Sequence, residues 1–301
     1  MAQSFMTVIG LIVLGYLLKR LNYIKESDGR VIAVLVMNVT LPSLIIVTLS
    51  GMKIDTSLLM LPVIMILYAL FAKGIMIYLF MKYSNEIRGS VGMMASAFNI
   101  GIFAYPFVEQ MFGPVGLLYF GMFDVGGAIV MFGITYFIGN YYSDGGDTFN
   151  FKYLITSILK AIPLLVYIIM LIFNLMSISL PDGVIEFFKV IAKANMPLSM
   201  IILGVFFNFK IDAHYLPIAV KYLCIHYGLG AIVGTICYFI LPFNEMFRTT
   251  LLLGWLLPIG VAIVPYAIEF RYKTISLISM VTNLTIIISI VILYVYQMLM
   301  I

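Results

Sequence analysis

Charged side chains are scarce in this chain. They make up 10% of its 301 residues, against about a quarter in a soluble domain. Hydrophobic residues make up 63%. A single core of this size cannot hide so much apolar surface from water, so the shortage of charge excludes an ordinary soluble protein and makes lipid the solvent. The only two cysteines, Cys224 and Cys237, lie 13 residues apart in one apolar stretch, about 20 Å along a helix. That separation excludes a disulfide between them, and buried free thiols are the expectation. Walker loops, His/Cys metal spacings and nucleophile elbows are all missing. No enzymatic site, metal site or cofactor is therefore expected, and nothing in the sequence marks an ATP-driven pump.

What is present is a succession of apolar runs. A span needs about 20 mostly apolar residues. A window of about 19 residues predicts ten, near 4–19, 31–50, 57–81, 89–111, 115–141, 153–174, 185–207, 213–241, 246–268 and 273–299. The stretch Phe5–Leu18 lacks a basic leader and a small-residue cleavage site, so it reads as a first span rather than a removed signal. The polar stretch 142–151 divides the spans into a first set in 1–141 and a second in 152–301.

The net charge of +4 reflects topology and gives no reason to expect nucleic acid. Loops after the odd-numbered spans hold Lys19, Arg20, Lys25, Arg30, Lys82, Arg88, Lys152, Lys210, Arg271 and Lys273, whereas the other side holds Lys53, Lys189, Lys193 and Arg248. This bias puts the odd loops in the cytoplasm and both termini outside a cell membrane. Lys73, Lys160 and Lys221 fall inside spans, nearer the cytoplasmic ends, and are expected to snorkel.

One pattern occurs twice. Spans 4 and 9 contain Ile100-Gly101…Pro106 and Ile259-Gly260…Pro265. Proline removes a backbone donor and clashes with the preceding turn, so both spans should be broken helices. A shift of 159 superposes the two Gly–Pro pairs and places Asp124 on Asn283; shifts of 155 and 157 superpose Pro42 on Pro197 and Lys53-Ile54-Asp55 on Lys210-Ile211-Asp212. Five spans is an odd number, so a second copy runs upside down. Broken helices at matching places in inverted repeats point to a transport site.

The breaks are therefore the expected substrate site, with Asn99, Ile100, Gly101, Pro106, Pro258, Gly260 and Pro265 as its residues; the alternatives are that the Gly–Pro pairs only kink the helices or allow close packing and that Asn99 holds unwound carbonyls. Free N–H groups where a half-helix starts favour an anion, so a small organic carboxylate is the expected ligand. Asn38 and Asn195, just before Pro42 and Pro197, either face the same cavity or satisfy kinked backbone. Asp124 is a costly intramembrane carboxylate. It is a proton- or sodium-coupling candidate, with Asn283 as its repeat partner and His226 as a further titratable candidate; hydrogen-bonded structural roles are the alternative for each.

These residues resemble a family. Asn99-Ile100-Gly101-Ile102-Phe103-Ala104-Tyr105-Pro106-Phe107, Leu257-Pro258-Ile259-Gly260-Val261-Ala262-Ile263-Val264-Pro265, Asn38-Val39-Thr40-Leu41-Pro42, Ala194-Asn195-Met196-Pro197 and Phe123-Asp124 are similar, in order and spacing, to the auxin efflux carrier family, which includes plant auxin carriers and bacterial malate/malonate permeases. The resemblance implies an all-α membrane protein of ten transmembrane helices in two inverted five-helix repeats. It implies a scaffold of helices 1, 2, 6 and 7, commonly a homodimer, and a transport unit of helices 3–5 and 8–10. Helices 4 and 9 would cross at the substrate, Asn99 would touch it, and the transport unit would move as an elevator. The short mid-chain loop departs from the long regulatory loop of plant members and fits a compact permease. The alternatives are a sodium-coupled organic anion symporter like the bile-acid symporters and, below it, a non-transporting membrane sensor.

Overall fold

A computed structural model describes residues 2–50, 55–143, 156, 161–208 and 211–299. The remaining residues include most of the 142–151 linker, Lys53 and Ile54, Lys152, Lys160 and Lys210, so the readings made on them lie outside the described residues. Nearly everything described is helix. The first half holds α1 (Ala2–Arg20), α2 (Glu26–Leu35), α3 (Leu41–Ser50), α4 (Met60–Leu79), α5 (Asn85–Met94), α6 (Tyr105–Ile129) and α7 (Tyr136–Tyr141). The second holds α8 (Ile162–Leu175), α9 (Asp182–Ala192), α10 (Asn195–Phe206), α11 (Leu216–Ile240), α12 (Glu245–Gly254), α13 (Ile263–Glu269) and α14 (Ile275–Leu299). Among the described residues six continuous runs are long and apolar enough to cross a membrane: Glu26–Ser50, Thr56–Leu79, Ile100–Tyr141, Asp182–Phe206, Leu216–Ile240 and Ile275–Leu299. The run Ile100–Tyr141 bends at Gly113, whose φ of 60° only glycine adopts readily, immediately before Pro114.

Local signals explain where helices start. The two broken spans open alike. Ser84 caps α5 by accepting from the Ile87 N–H at 3.4 Å, and Asn244 caps α12 by accepting from the Phe247 N–H at 2.9 Å. Glu86 and Glu245 follow in the first turns, where a negative charge meets the positive helix end.

The chain forms two compact units. The first comprises 1–58, 100–124 and 161–207. Its tightest contact is α1 on α10. A Cβ on Gly15 would overlap the carbonyl of Ile201, and one on Gly204 would overlap the backbone of Ile12 and Tyr16. Small residues permit this backbone-to-backbone packing, which van der Waals attraction holds in lipid. Thr40 Oγ1 donates to Asn195 Oδ1 at 3.0 Å, both side chains being buried. The offset of 155 that superposes Pro42 on Pro197 also superposes these two residues.

The second unit comprises 59–99, 125–160 and 208–301. Its core gathers Met76, Phe80, Met93, Ile259, Ile278 and Val281. Trp255 stacks on Tyr68 with ring centroids 4.2 Å apart. Two expectations fail here. Cys224 is exposed and Cys237 half-buried, both as free thiols. They lie on α11, which turns much of its apolar surface outward. Lys73 does not snorkel: its side chain is 2% exposed. Lys221 does reach a helix end, where its Nζ donates to the Leu79 carbonyl at 2.7 Å and lies 4.3 Å from the Phe80 ring centre.

Candidate functional site

Both breaks exist, and they meet. Span 4 leaves helical geometry at 95–99, between α5 and a π turn, Ile100–Ala104, that leads into α6. Span 9 leaves it at 255–262, between α12 and α13. Phe98 and Ile259 lie opposite each other in an isolated antiparallel bridge. The Asn99 N–H donates to the Pro258 carbonyl at 2.8 Å, and the Gly260 N–H donates to the Ala97 carbonyl at 2.7 Å. The two unwound stretches thus supply each other's hydrogen bonds, as one rung of a sheet would. Gly260 is what allows the approach. A Cβ there would sit 2.8 Å from Met131 Cε and 3.3 and 3.4 Å from the Ala97 and Phe98 carbonyl oxygens.

Unwound backbone inside a membrane must find partners within the protein. In span 9 they come from side chains. The Leu256 carbonyl accepts from Ser289 Oγ at 2.8 Å. The Leu257 carbonyl lies 3.3 Å from His226 Nε2. The Ile259 N–H donates to Thr285 Oγ1 at 3.1 Å. Tyr227 holds the next layer, its hydroxyl donating to the Thr285 carbonyl at 2.8 Å and lying 2.9 Å from Ser289 Oγ. In span 4 the carbonyls that end α5 are met by Lys73 Nζ, at 3.0 Å from Gly92 O and 3.4 Å from Met93 O. Asn99 is 6% exposed, and its Nδ2 has no hydrogen-bond partner. The same holds for the buried Tyr222 hydroxyl and Trp255 Nε1. Tyr222 stacks on His226, with centroids 5.6 Å apart, and Trp255 is the first residue of the span 9 break.

A family model for membrane transport proteins matches residues 2–158. The chain belongs to this family, the auxin efflux carriers. Two archaeal relatives agree. A transporter of Methanocaldococcus jannaschii, itself uncharacterised, is 27% identical over 207 residues, 65% of this chain and 66% of the relative. Another uncharacterised transporter, of Methanothermobacter thermautotrophicus, is 28% identical over 221 residues, 70% of each chain. The chain thus spans about two thirds of the length of these relatives. Family membership and the apolar helices make this a multi-pass membrane protein.

In this auxin efflux carrier family member the other expected site residues fall as follows. Pro258 and Gly260 join Asn99 at the crossing, and Pro265 is the third residue of α13. Ile100 and Gly101 do not lie in the break. They sit in the π turn of the first unit, where a Cβ on Gly101 would meet the Met37 side chain at 3.1 Å rather than crossing backbone. Pro106 is the second residue of α6, where its missing donor falls on the π turn. The prolines mark where helix has resumed, and the unwinding lies upstream.

Asn38 is exposed on a second π turn, Val36–Thr40. Asn195 is fully buried, accepting from Thr40 as described, with Nδ2 unpartnered. Asp124 is half-buried; its Oδ2 accepts from the Tyr105 hydroxyl at 2.8 Å. Tyr105 stacks with Tyr167, centroids 6.5 Å apart. Asn283 Nδ2 donates to the Ser279 carbonyl one turn back at 2.8 Å, and its Oδ1 accepts from the distant Asn208 N–H at 3.1 Å.

The sequence reading missed Lys73, Thr285, Ser289 and Tyr227 as parts of the crossing. A signal existed for two of them. Thr282, Thr285 and Ser289 follow helical spacing on one face of an otherwise apolar helix, and all three are buried. Lys73 gave no such signal, because a lone lysine near a span end ordinarily reaches for the interface.

Proposed function

We propose that this chain is a secondary transporter that carries a small organic carboxylate across the cell membrane by alternating access. The observation that carries the reading is a set of buried donors without partners, Asn99 Nδ2 and Trp255 Nε1 on the two unwound segments and Tyr222 Oη one turn before His226 on α11. A buried unpaired donor costs about 1–3 kcal/mol. A ligand rich in acceptor oxygens recovers that cost, and neutral donors leave room for the ligand's own negative charge. The apolar surroundings favour a monocarboxylate with an apolar body, such as an auxin-like acid, over malate or malonate.

We further propose an elevator movement in which helices 3–5 and 8–10 carry the ligand past a scaffold of helices 1, 2, 6 and 7, in a homodimer at the plasma membrane; the backbone bonds that join the two breaks support spans 4 and 9 moving together. Asp124 is the proposed proton-coupling residue, since its carboxylate is half-buried and held by Tyr105. Asp124→Asn then flattens the pH profile of uptake in proteoliposomes. An unchanged profile makes Asp124 structural.

The site itself is tested by thermal unfolding of detergent-purified protein with indole-3-acetate, malate and malonate. A ligand bound to the native state raises Tm. The expected result is stabilisation by a carboxylate that disappears in a monodisperse Asn99→Ala variant. Equal stabilisation of parent and variant would remove Asn99 from the site, and no response to any carboxylate would overturn the ligand class.

A further inference from the structure

Lys73 is buried at 2% exposure in the apolar helix α4. Its Nζ reaches three oxygens: Thr135 Oγ1 at 2.9 Å, the Gly92 carbonyl at 3.0 Å and the Met93 carbonyl at 3.4 Å. Three acceptors match the three N–H donors of an ammonium. Among the described residues no carboxylate pairs with it. A charge buried in a span without a counter-ion is expensive, so the oxygens around it must make it favourable. Two of them are the terminal carbonyls of α5, the negative end of a helix dipole. The third is a hydroxyl on the last residue of a π turn, Val130–Thr135, a local widening often found at functional positions.

Neutral carbonyl and hydroxyl oxygens converging from separate elements are what proteins use in place of a monovalent cation's hydration shell. All the groups belong to one unit, and the carbonyls are those from which the chain turns into the crossing. We propose that Gly92 O, Met93 O and Thr135 Oγ1 form a monovalent-cation site that Lys73 fills with a tethered ammonium. The wild-type chain brings its own cation to the end of the broken helix and takes no sodium there. Truncating the lysine opens the site to a free cation. This inference does not depend on the identity of the transported molecule.

The test compares thermal unfolding of the detergent-purified wild-type protein, Lys73→Ala and Lys73→Met in sodium, ammonium and choline chloride at equal ionic strength. Lys73→Ala is expected to unfold at lower temperature in choline and to recover by roughly 5 °C in sodium or ammonium well above Kd. Choline is too large to enter. Wild type is expected to show no difference among the salts. Lys73→Met, which keeps the stem and plugs the site without charge, is expected to unfold early in every salt. Three results would each overturn the proposal. One is a monodisperse Lys73→Ala indifferent to the cation. Another is a Lys73→Ala that cannot be recovered even when purified in ammonium. The third is a Lys73→Met as stable as wild type.

Discussion

In span 4 the chain leaves the helix at 95–99, and in span 9 at 255–262. The first break is tied down by one buried lysine amine on the carbonyls of Gly92 and Met93. The second is tied by neutral groups, with Ser289, Thr285 and His226 each on a different backbone atom. Span 9 therefore has its unwound backbone distributed over two neighbouring helices, α11 and α14. Span 4 depends on a single lysine and leaves the Asn99 Nδ2 unsatisfied. The span 9 backbone is met by side chains on two helices, whereas the span 4 break presents an unpaired side-chain amide next to its backbone, and each break carries one open donor, Asn99 Nδ2 and Trp255 Nε1.

That contrast can be broken most severely at the point the two breaks share. Gly260→Val places branched carbons against the Ala97 and Phe98 carbonyls and is expected to cost about 3 kcal/mol or more. Failure to obtain a monodisperse protein, or a large drop in Tm, is the expected outcome. Gly260→Ala is milder, because the nearest atom to the new Cβ is the flexible end of Met131. A Gly260→Val variant with wild-type Tm would mean the breaks do not cross as closely as described.

A middle-sized effect sharpens the comparison. Thr285→Val keeps shape and removes the acceptor for the Ile259 N–H, leaving a buried donor unpaired at about 1–3 kcal/mol. Because it acts on backbone support rather than on an open donor, it is expected to lower Tm while a carboxylate still stabilises the variant. Loss of ligand response with unchanged Tm would mean the reverse.

The smallest effect serves as a control away from both breaks. Asp212 lies in the connection before α11. The Ser276 hydroxyl donates to it at 2.7 Å, with help from the His214 N–H at 3.1 Å, and these bonds hold its carboxyl below the ordinary carboxylate range. A lowered folded-state value gives stability that is present above the unfolded value and is lost as pH falls through the folded one. Ser276→Ala is expected to reduce that slight acid-side dependence and change nothing else, read as Tm against pH between about 5 and 2. A change at neutral ligand response would show that this connection is coupled to the crossing.

The two breaks were legible in the residues, but with an offset. The twin Gly–Pro pairs announced two broken helices, because proline chemistry is local. They did not give the position of the unwinding. Pro106 stands where α6 has already formed, and the stretch that leaves the helix is fixed by bonds to residues some 160 positions away. Asn99 was legible as a polar residue in an apolar run; its unpaired amide was not. Gly101 and Gly260 look alike in sequence, yet only Gly260 faces crossing backbone. Asn38 looked equivalent to Asn195, but one is exposed and the other buried against Thr40.

The sequence by itself determined the solvent, the helical class, the existence of both breaks and the family, because hydropathy and proline geometry act on neighbouring residues. Only the tertiary structure decided which glycine meets backbone, which polar groups close the unwound turns and where Lys73 places its amine. Those outcomes depend on atoms brought together from distant segments in a medium without water. There each buried donor and acceptor must find its partner inside the protein, and the pattern of side chains along the chain does not say which one it will be.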